Sequence, residues 1–170
     1  MLQNIINHPL KLRKSQKFYG GYNKSAFWKA FRYVQKELKK IYPEKEIAYI
    51  WNNISKIGRA GTTGVSPELR SIERNYFPVI RDEVEIIKPD IVLFFTGPNR
   101  DHDIKFHFPD MRLANSGSSF TTRQLAKISS TDLPETSIRT YHPAYYGGFT
   151  NDLKRNMVQL LTKNPDNCFR

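Results

Sequence analysis

Ile86 to Asp103 reads IIKPDIVLFFTGPNRDHD, and the run at its centre decides the fold. Five consecutive apolar residues, Ile91-Val92-Leu93-Phe94-Phe95, have no polar face. Such a run, with two β-branched members, suits a strand covered on both sides. Pro89 stops a preceding helix, and Gly97-Pro98 turns the chain after Thr96. Ligands of open α/β sheets bind beyond the carboxyl ends of such strands. The loop Gly97-Pro98-Asn99 is therefore the first place to look for a site.

Upstream, Glu68 to Lys88 is helical by pattern, with Leu69, Ile72, Phe77, Ile80, Val84 and Ile87 at three- to four-residue spacing. Pro78 lies inside this span and must kink or restart it. Ile47-Ala48-Tyr49-Ile50-Trp51 reads as a second buried strand. Before it, Phe27, Phe31, Val34, Leu38 and Ile41 form a helical stripe that Asn23 or Ser25 can cap and Pro43 ends. Its opposite face carries Lys29, Arg32, Lys36, Lys39 and Lys40. Downstream, Asp103 to Leu113 alternates loosely (Ile104, Phe106, Phe108), as in a short strand or hairpin, Thr121 to Ile128 suits a short helix, and Ser137 to Tyr141 reads as a third strand. Asn151 can cap a last helix that buries Leu153, Met157, Leu160 and Leu161. Helix and strand thus alternate, which predicts a three-layer α/β/α domain with a short parallel sheet. Residues 1–17 read as a basic N-terminal arm and residues 18–170 as a single α/β domain.

The 170 residues carry 27 basic and 16 acidic side chains, a formal charge of +11. That excess favours polyanionic partners. No apolar stretch approaches a membrane span, and the first residues lack a signal peptide's charged start and apolar centre. The one cysteine, Cys168, allows no internal disulfide. The expectation is a cytoplasmic protein, a monomer with no membrane partner.

Three predicted strand ends carry polar punctuation: Asn52-Asn53, Gly97-Pro98-Asn99 and His142-Pro143. In a parallel sheet they meet on one rim, within reach of the aromatic-glycine loop Phe18-Tyr19-Gly20-Gly21-Tyr22. An asparagine can pair twice with the edge of an amide-like heterocycle. A histidine can donate to an oxygen that gains charge as a bond breaks. An aromatic can stack on a flat ring, and Gly97 lets backbone approach a ligand. Singly, each feature is ordinary turn or surface chemistry; their coincidence at strand ends suits a flat base held in a slot.

IAYIWNNISK, KPDIVLFFTGP and IRTYHPAYY, in this order, resemble the uracil-DNA glycosylase superfamily. The resemblance covers roughly Phe18 to the last helix and is carried by the order and spacing of the three motifs. It implies cleavage of the N-glycosidic bond of a flipped-out damaged base, with DNA, single-stranded or damaged forms included, as partner and no cofactor. It makes His142 the catalytic residue and Asn53 the base reader, with Asn52 one register away. Phe18 or Tyr19 would stack on the base beside Gly97. Pro143, Tyr145 and Tyr146 would belong to the loop that enters DNA, with Lys56 and Arg59 on phosphates. One departure stands out: the superfamily opens with a strand and a glycine-rich motif that positions the attacking water, and nothing before Phe18 matches it. Either the chain is a shortened relative or Met1 is an internal start; a backbone carbonyl or Asp101 is left to hold the water.

Two other classes compete. A nucleic-acid-binding relative could keep the slot without catalysis. A small-molecule enzyme or interaction protein on a generic doubly wound fold is the third reading, although Arg59 to Gly64 has neither the lysine nor the spacing of a P-loop. Asp101, His102, Asp103 and His107 are residue types that bind metals, but without a specific ligand spacing. The charge balance predicts DNA binding that weakens as salt rises, because phosphate neutralisation releases counterions. Anisotropy titration checks it: no binding at low salt to single- or double-stranded DNA contradicts the expectation.

Overall fold

A computed structural model of the chain describes residues 24–61 and 64–162. Helix α1 spans Ala26–Ile41, α2 Pro67–Tyr76, α3 Ile80–Ile87, α4 Asp101–His107 and α5 Asn151–Leu161. Strands β1 (Ile91–Phe94), β2 (Arg112–Asn115), β3 (Leu125–Ser129) and β4 (Thr136–Thr140) form one open sheet in the order β1-β4-β3-β2. The architecture is α/β, and no described helix is long and apolar enough to cross a membrane. The basic arm, Phe18, Tyr19 and Cys168 lie outside the described residues.

The opening stretch behaves as its composition dictates. Helix α3 ends where Lys88 takes a left-handed conformation (φ 48°), its N–H bonded to the Val84 carbonyl, and Pro89 bars continuation. Along β1 the side chains alternate between two buried clusters. Ile91, Leu93 and Phe95 pack on a cluster with Val34 and Leu38 of α1, Leu125, Ile138, and Leu153, Met157 and Leu161 of α5. Val92 and Phe94 pack on the other, with Ile80, Ile104, Phe108 and Ile128. Helix α1 is capped by Ser25, and α5 by the hydroxyl of Thr150 rather than by Asn151. The Pro78 break is real: α2 ends at Tyr76 and α3 begins at Ile80.

Four expectations are corrected. The sheet is mixed rather than parallel. β1 and β4 run parallel, but β3 is antiparallel to both neighbours, β4 and β2. The connection 130–135 is too short for the crossover that parallel neighbours require. Thr121 to Ile128 is a turn and then a strand; Thr121 and Gln124 bond to each other, and Leu125, Ala126 and Ile128 are buried in the sheet interior. Residues 103–107 are helical, not extended, and Phe108 ends the helix. Ile104 and Phe108 are fully buried four residues apart while Phe106 is exposed, a period of 3.6 and not 2.

The fourth correction concerns Ile47–Trp51, which forms no strand. The segment and β1 both line one cleft. Side chains anchor it instead of ladder hydrogen bonds. Ile47 and Tyr49 pack on the α1–α5 cluster and Ile54 on the other. Ile50 and Trp51 remain exposed.

Arg139 on β4 is buried and yet charged. Its Nε and Nη2 donate to both oxygens of Asp101 (2.8 and 3.0 Å), and Nη1 and Nη2 donate to the carbonyls of Arg123 and Thr122 (2.7 and 3.0 Å). Satisfied this way, the guanidinium joins β4, the start of α4 and the turn before β3. Removing one partner of such a pair typically costs ~3–5 kcal/mol. Arg139→Met is expected to lower the unfolding free energy by that order, and the double variant with Asp101→Asn is expected to lose less than the two single losses combined, measured by equilibrium unfolding in urea.

Candidate functional site

The loops after β1 and β4 meet. Gly97 has φ +71°, a conformation that favours glycine, and its N–H donates to the Thr140 carbonyl (2.9 Å). A Cβ at Gly97 would only reach ordinary contact with His142 N at 3.9 Å, so backbone conformation rather than space selects the residue. The close approach that Gly97 makes is thus to the end of β4, and it sets the β1 loop beside His142.

A cleft of about 1140 Å³ is lined by residues 46–58 and β1. Asn52, Asn53, Lys56, Thr96, Arg100 and His142 all line it. The two asparagines differ. Asn52 donates from its amide to Glu83 (2.6 Å) and accepts the Asn53 N–H (2.9 Å), so both ends of its side chain are engaged. Among the described residues, no partner holds the Asn53 side chain. Thr96 Oγ1 is buried with no hydrogen-bond partner among them. The exposed Asn53 side chain is available to a ligand, where that of Asn52 is not.

His142 carries the sharpest geometry. The Ala144 N–H donates to its Nδ1 (3.1 Å), which makes Nδ1 the acceptor and puts the proton of the neutral ring on Nε2. The ring stacks on Phe27, with centroids 6.4 Å apart and planes at 20°. Although the residue as a whole is exposed, this packing takes part of the imidazole out of water, and the loss of hydration lowers its pKa. At neutral pH the cleft therefore has a neutral imidazole offering Nε2–H.

Aromatic side chains that the sequence reading did not single out stand beside it. Phe27, Trp28 and Trp51 pack together with centroids 5.3 to 5.7 Å apart, and all three line the cleft. Trp51 is 47% exposed. The one signal in the sequence was the Phe27-Trp28 pair at the head of a helix whose apolar stripe continues inward. Beyond His142, Pro143 is buried, and Tyr145 lies over Gly148, where a Cβ would collide with the ring. Tyr146 is 99% exposed.

Several basic side chains of the expected DNA surface are engaged within the chain. Lys56 chelates Glu83 through both oxygens (2.8 and 2.7 Å), Lys40 pairs with Glu37, and Lys39 donates to the carbonyls of Pro43 and Lys45. Arg59 is exposed in the 58–61 loop. Among the described residues no group of three or more His, Cys, Asp or Glu is arranged to hold a metal. Asp101 serves Arg139, and Asp103 is surrounded by arginines. No family model, curated protein or solved structure matches the chain.

Burial also lowers the pKa of His107, whose Nδ1 has no partner among the described residues. Both histidines are thus easier to protonate unfolded than folded. Between the folded pKa and the ordinary value of about 6.5 the unfolded chain binds more protons, so stability rises with pH there. Thermal melts are expected to show full stability above that value and a falling midpoint as pH drops through the folded pKa. His142→Gln and His107→Gln should each flatten this acid limb.

Proposed function

We propose that the chain is a uracil-DNA glycosylase-like protein, an α/β/α domain that cleaves the N-glycosidic bond of a damaged base flipped out of DNA. The observation that carries the proposal is the Ala144–His142 hydrogen bond. It leaves a neutral imidazole with Nε2–H as donor in the cleft that Asn53 also lines. When the bond between the sugar C1′ and the base nitrogen breaks, its electron pair goes to the base. Negative charge then builds on a carbonyl oxygen of the base. A donor fixed before the reaction stabilises that charge without reorganising. The sugar cation adds water, which gives up a proton. Asn53 pairs with the base edge, and Trp51 or Trp28 offers a stacking surface. The exposed Tyr146, four residues past His142, suits a side chain that fills the vacated stack.

A second reading, a base-binding relative without turnover, draws on a specific observation. Asp101, one of the groups left to hold the water, is fully engaged by Arg139, and Glu83 in the cleft is engaged by Lys56. Neither is a free base.

Single-turnover excision from uracil-containing DNA separates the two. In the enzyme, His142→Ala lowers the chemical rate by ~10²–10³ with little change in DNA affinity, since the donor acts in the transition state. Asn53→Ala broadens which bases are released. Robust excision that survives His142→Ala overturns the mechanism. No excision of any damaged base, with DNA binding retained, leaves the binding relative.

A further inference from the structure

Asp103 is buried at the head of α4, and three arginines and a histidine converge on it. Arg100 Nη1 lies 3.0 Å from Oδ2. Arg70 and Arg74, one turn apart on α2, both reach Oδ1 at 3.4 Å, and His102 Nε2 reaches it at 3.1 Å. His102 also touches the Arg70 guanidinium, and Arg74 lies 4.8 Å over the Phe106 ring. The second carboxylate nearby, Glu73, is buried and accepts the Lys56 backbone N–H. Three guanidinium charges thus face two carboxylates, and the balance is positive.

The donor count points the same way. One carboxylate oxygen cannot use the N–H groups that Arg70 and Arg74 bring to it. The two contacts at 3.4 Å are long for charge-assisted hydrogen bonds. Each arginine side chain stays between 26% and 35% exposed, so unused donors open to solvent. Asp103 is a buried anchor that gathers the three guanidinium groups against their mutual repulsion. Planar forks held this way match tetrahedral oxyanions. Arg100 belongs both to this cluster and to the lining of the cleft that holds Asn53 and His142.

We propose that Arg70, Arg74 and Arg100 form a phosphate-binding subsite at the mouth of the cleft, which takes the backbone phosphate next to a base lodged against Asn53 and His142. The assignment to a nucleic-acid phosphate rests on the base-slot reading above; the shared chemistry is a tetrahedral oxyanion.

The test has two probes. Inorganic phosphate is titrated into the full chain while the arginine Nε–H resonances are followed by NMR. An oligodeoxythymidylate is titrated by anisotropy across a range of salt. Phosphate is expected to shift Arg70, Arg74 and Arg100 and to leave Arg155, on α5, unmoved. For the oligonucleotide, Arg70→Gln and Arg74→Gln should each reduce the slope of log K against log salt by about 0.7, one single-strand phosphate contact. Arg155→Gln, the same charge change elsewhere, should leave it unaltered. Should either glutamine variant unfold, Arg74→Lys keeps a charge beside Asp103 but loses the fork. Its phosphate affinity should then fall roughly tenfold, about the loss of one charge-assisted bond. Glutamine variants that bind the oligonucleotide as Arg155→Gln does overturn the proposal, even if uracil excision is found. Arginine shifts and a reduced slope in a protein that excises nothing support the subsite and remove only the enzyme. Shifts with inorganic phosphate but an unaltered oligonucleotide slope overturn the nucleic-acid assignment.

Discussion

The buried pair of Arg139 and Asp101 is the constraint on which the rest of the arrangement depends. A guanidinium in the interior must have its charge met and its N–H groups used, and here a carboxylate and two main-chain carbonyls do both. The carboxylate comes from the first turn of α4, where negative charge also suits the helix dipole. Fixing Asp101 fixes the short loop that precedes it, Gly97 to Arg100. The Gly97 N–H then closes onto the Thr140 carbonyl, and His142 follows two residues later. The adjacency of the β1 loop and the histidine thus follows from burying one arginine correctly. The same short helix carries Asp103, which gathers Arg70, Arg74 and Arg100.

What was legible in the sequence is what local chemistry determines. The apolar run Ile91–Phe95, the stop at Pro89, the break at Pro78 and the stripes of α1 and α5 all declare themselves by composition and spacing. What failed was short and dependent on distant partners. Ile104 and Phe108 fit a strand if Phe106 is counted with them and a helix if it is not; three residues cannot decide. Leu125 to Ser129 is a strand because β2 and β4 flank it, and neither neighbour is visible locally. Ile47–Trp51 has the residues of a strand but not the ladder, since side-chain anchors hold it at a cleft that β1 also lines.

The site divides along the same line. Asn53, Gly97 and His142 were findable because each follows a recognisable run. The distinction between Asn52 and Asn53 was not, because it lies in Glu83, about thirty residues away in sequence and bonded to one of the two. The engagement of Lys56 by that same glutamate was equally hidden. The arginine trio draws on one helix and a distant loop, gathered by an aspartate of a second helix, so no single spacing in the chain announces it. Nor could sequence reveal the tautomer of His142, which depends on one backbone N–H two residues on.

That tautomer is the centre of the account, because a neutral Nε2–H donor is what the cleft would bring to a departing base. Its most direct test is a long-range ¹H–¹⁵N spectrum of the imidazole, followed through a pH titration. The account predicts the Nε2–H form of His142 at neutral pH, with Nδ1 unprotonated, and protonation only below the ordinary imidazole value. An imidazolium at neutral pH, or a proton on Nδ1 with Nε2 bare, would contradict it.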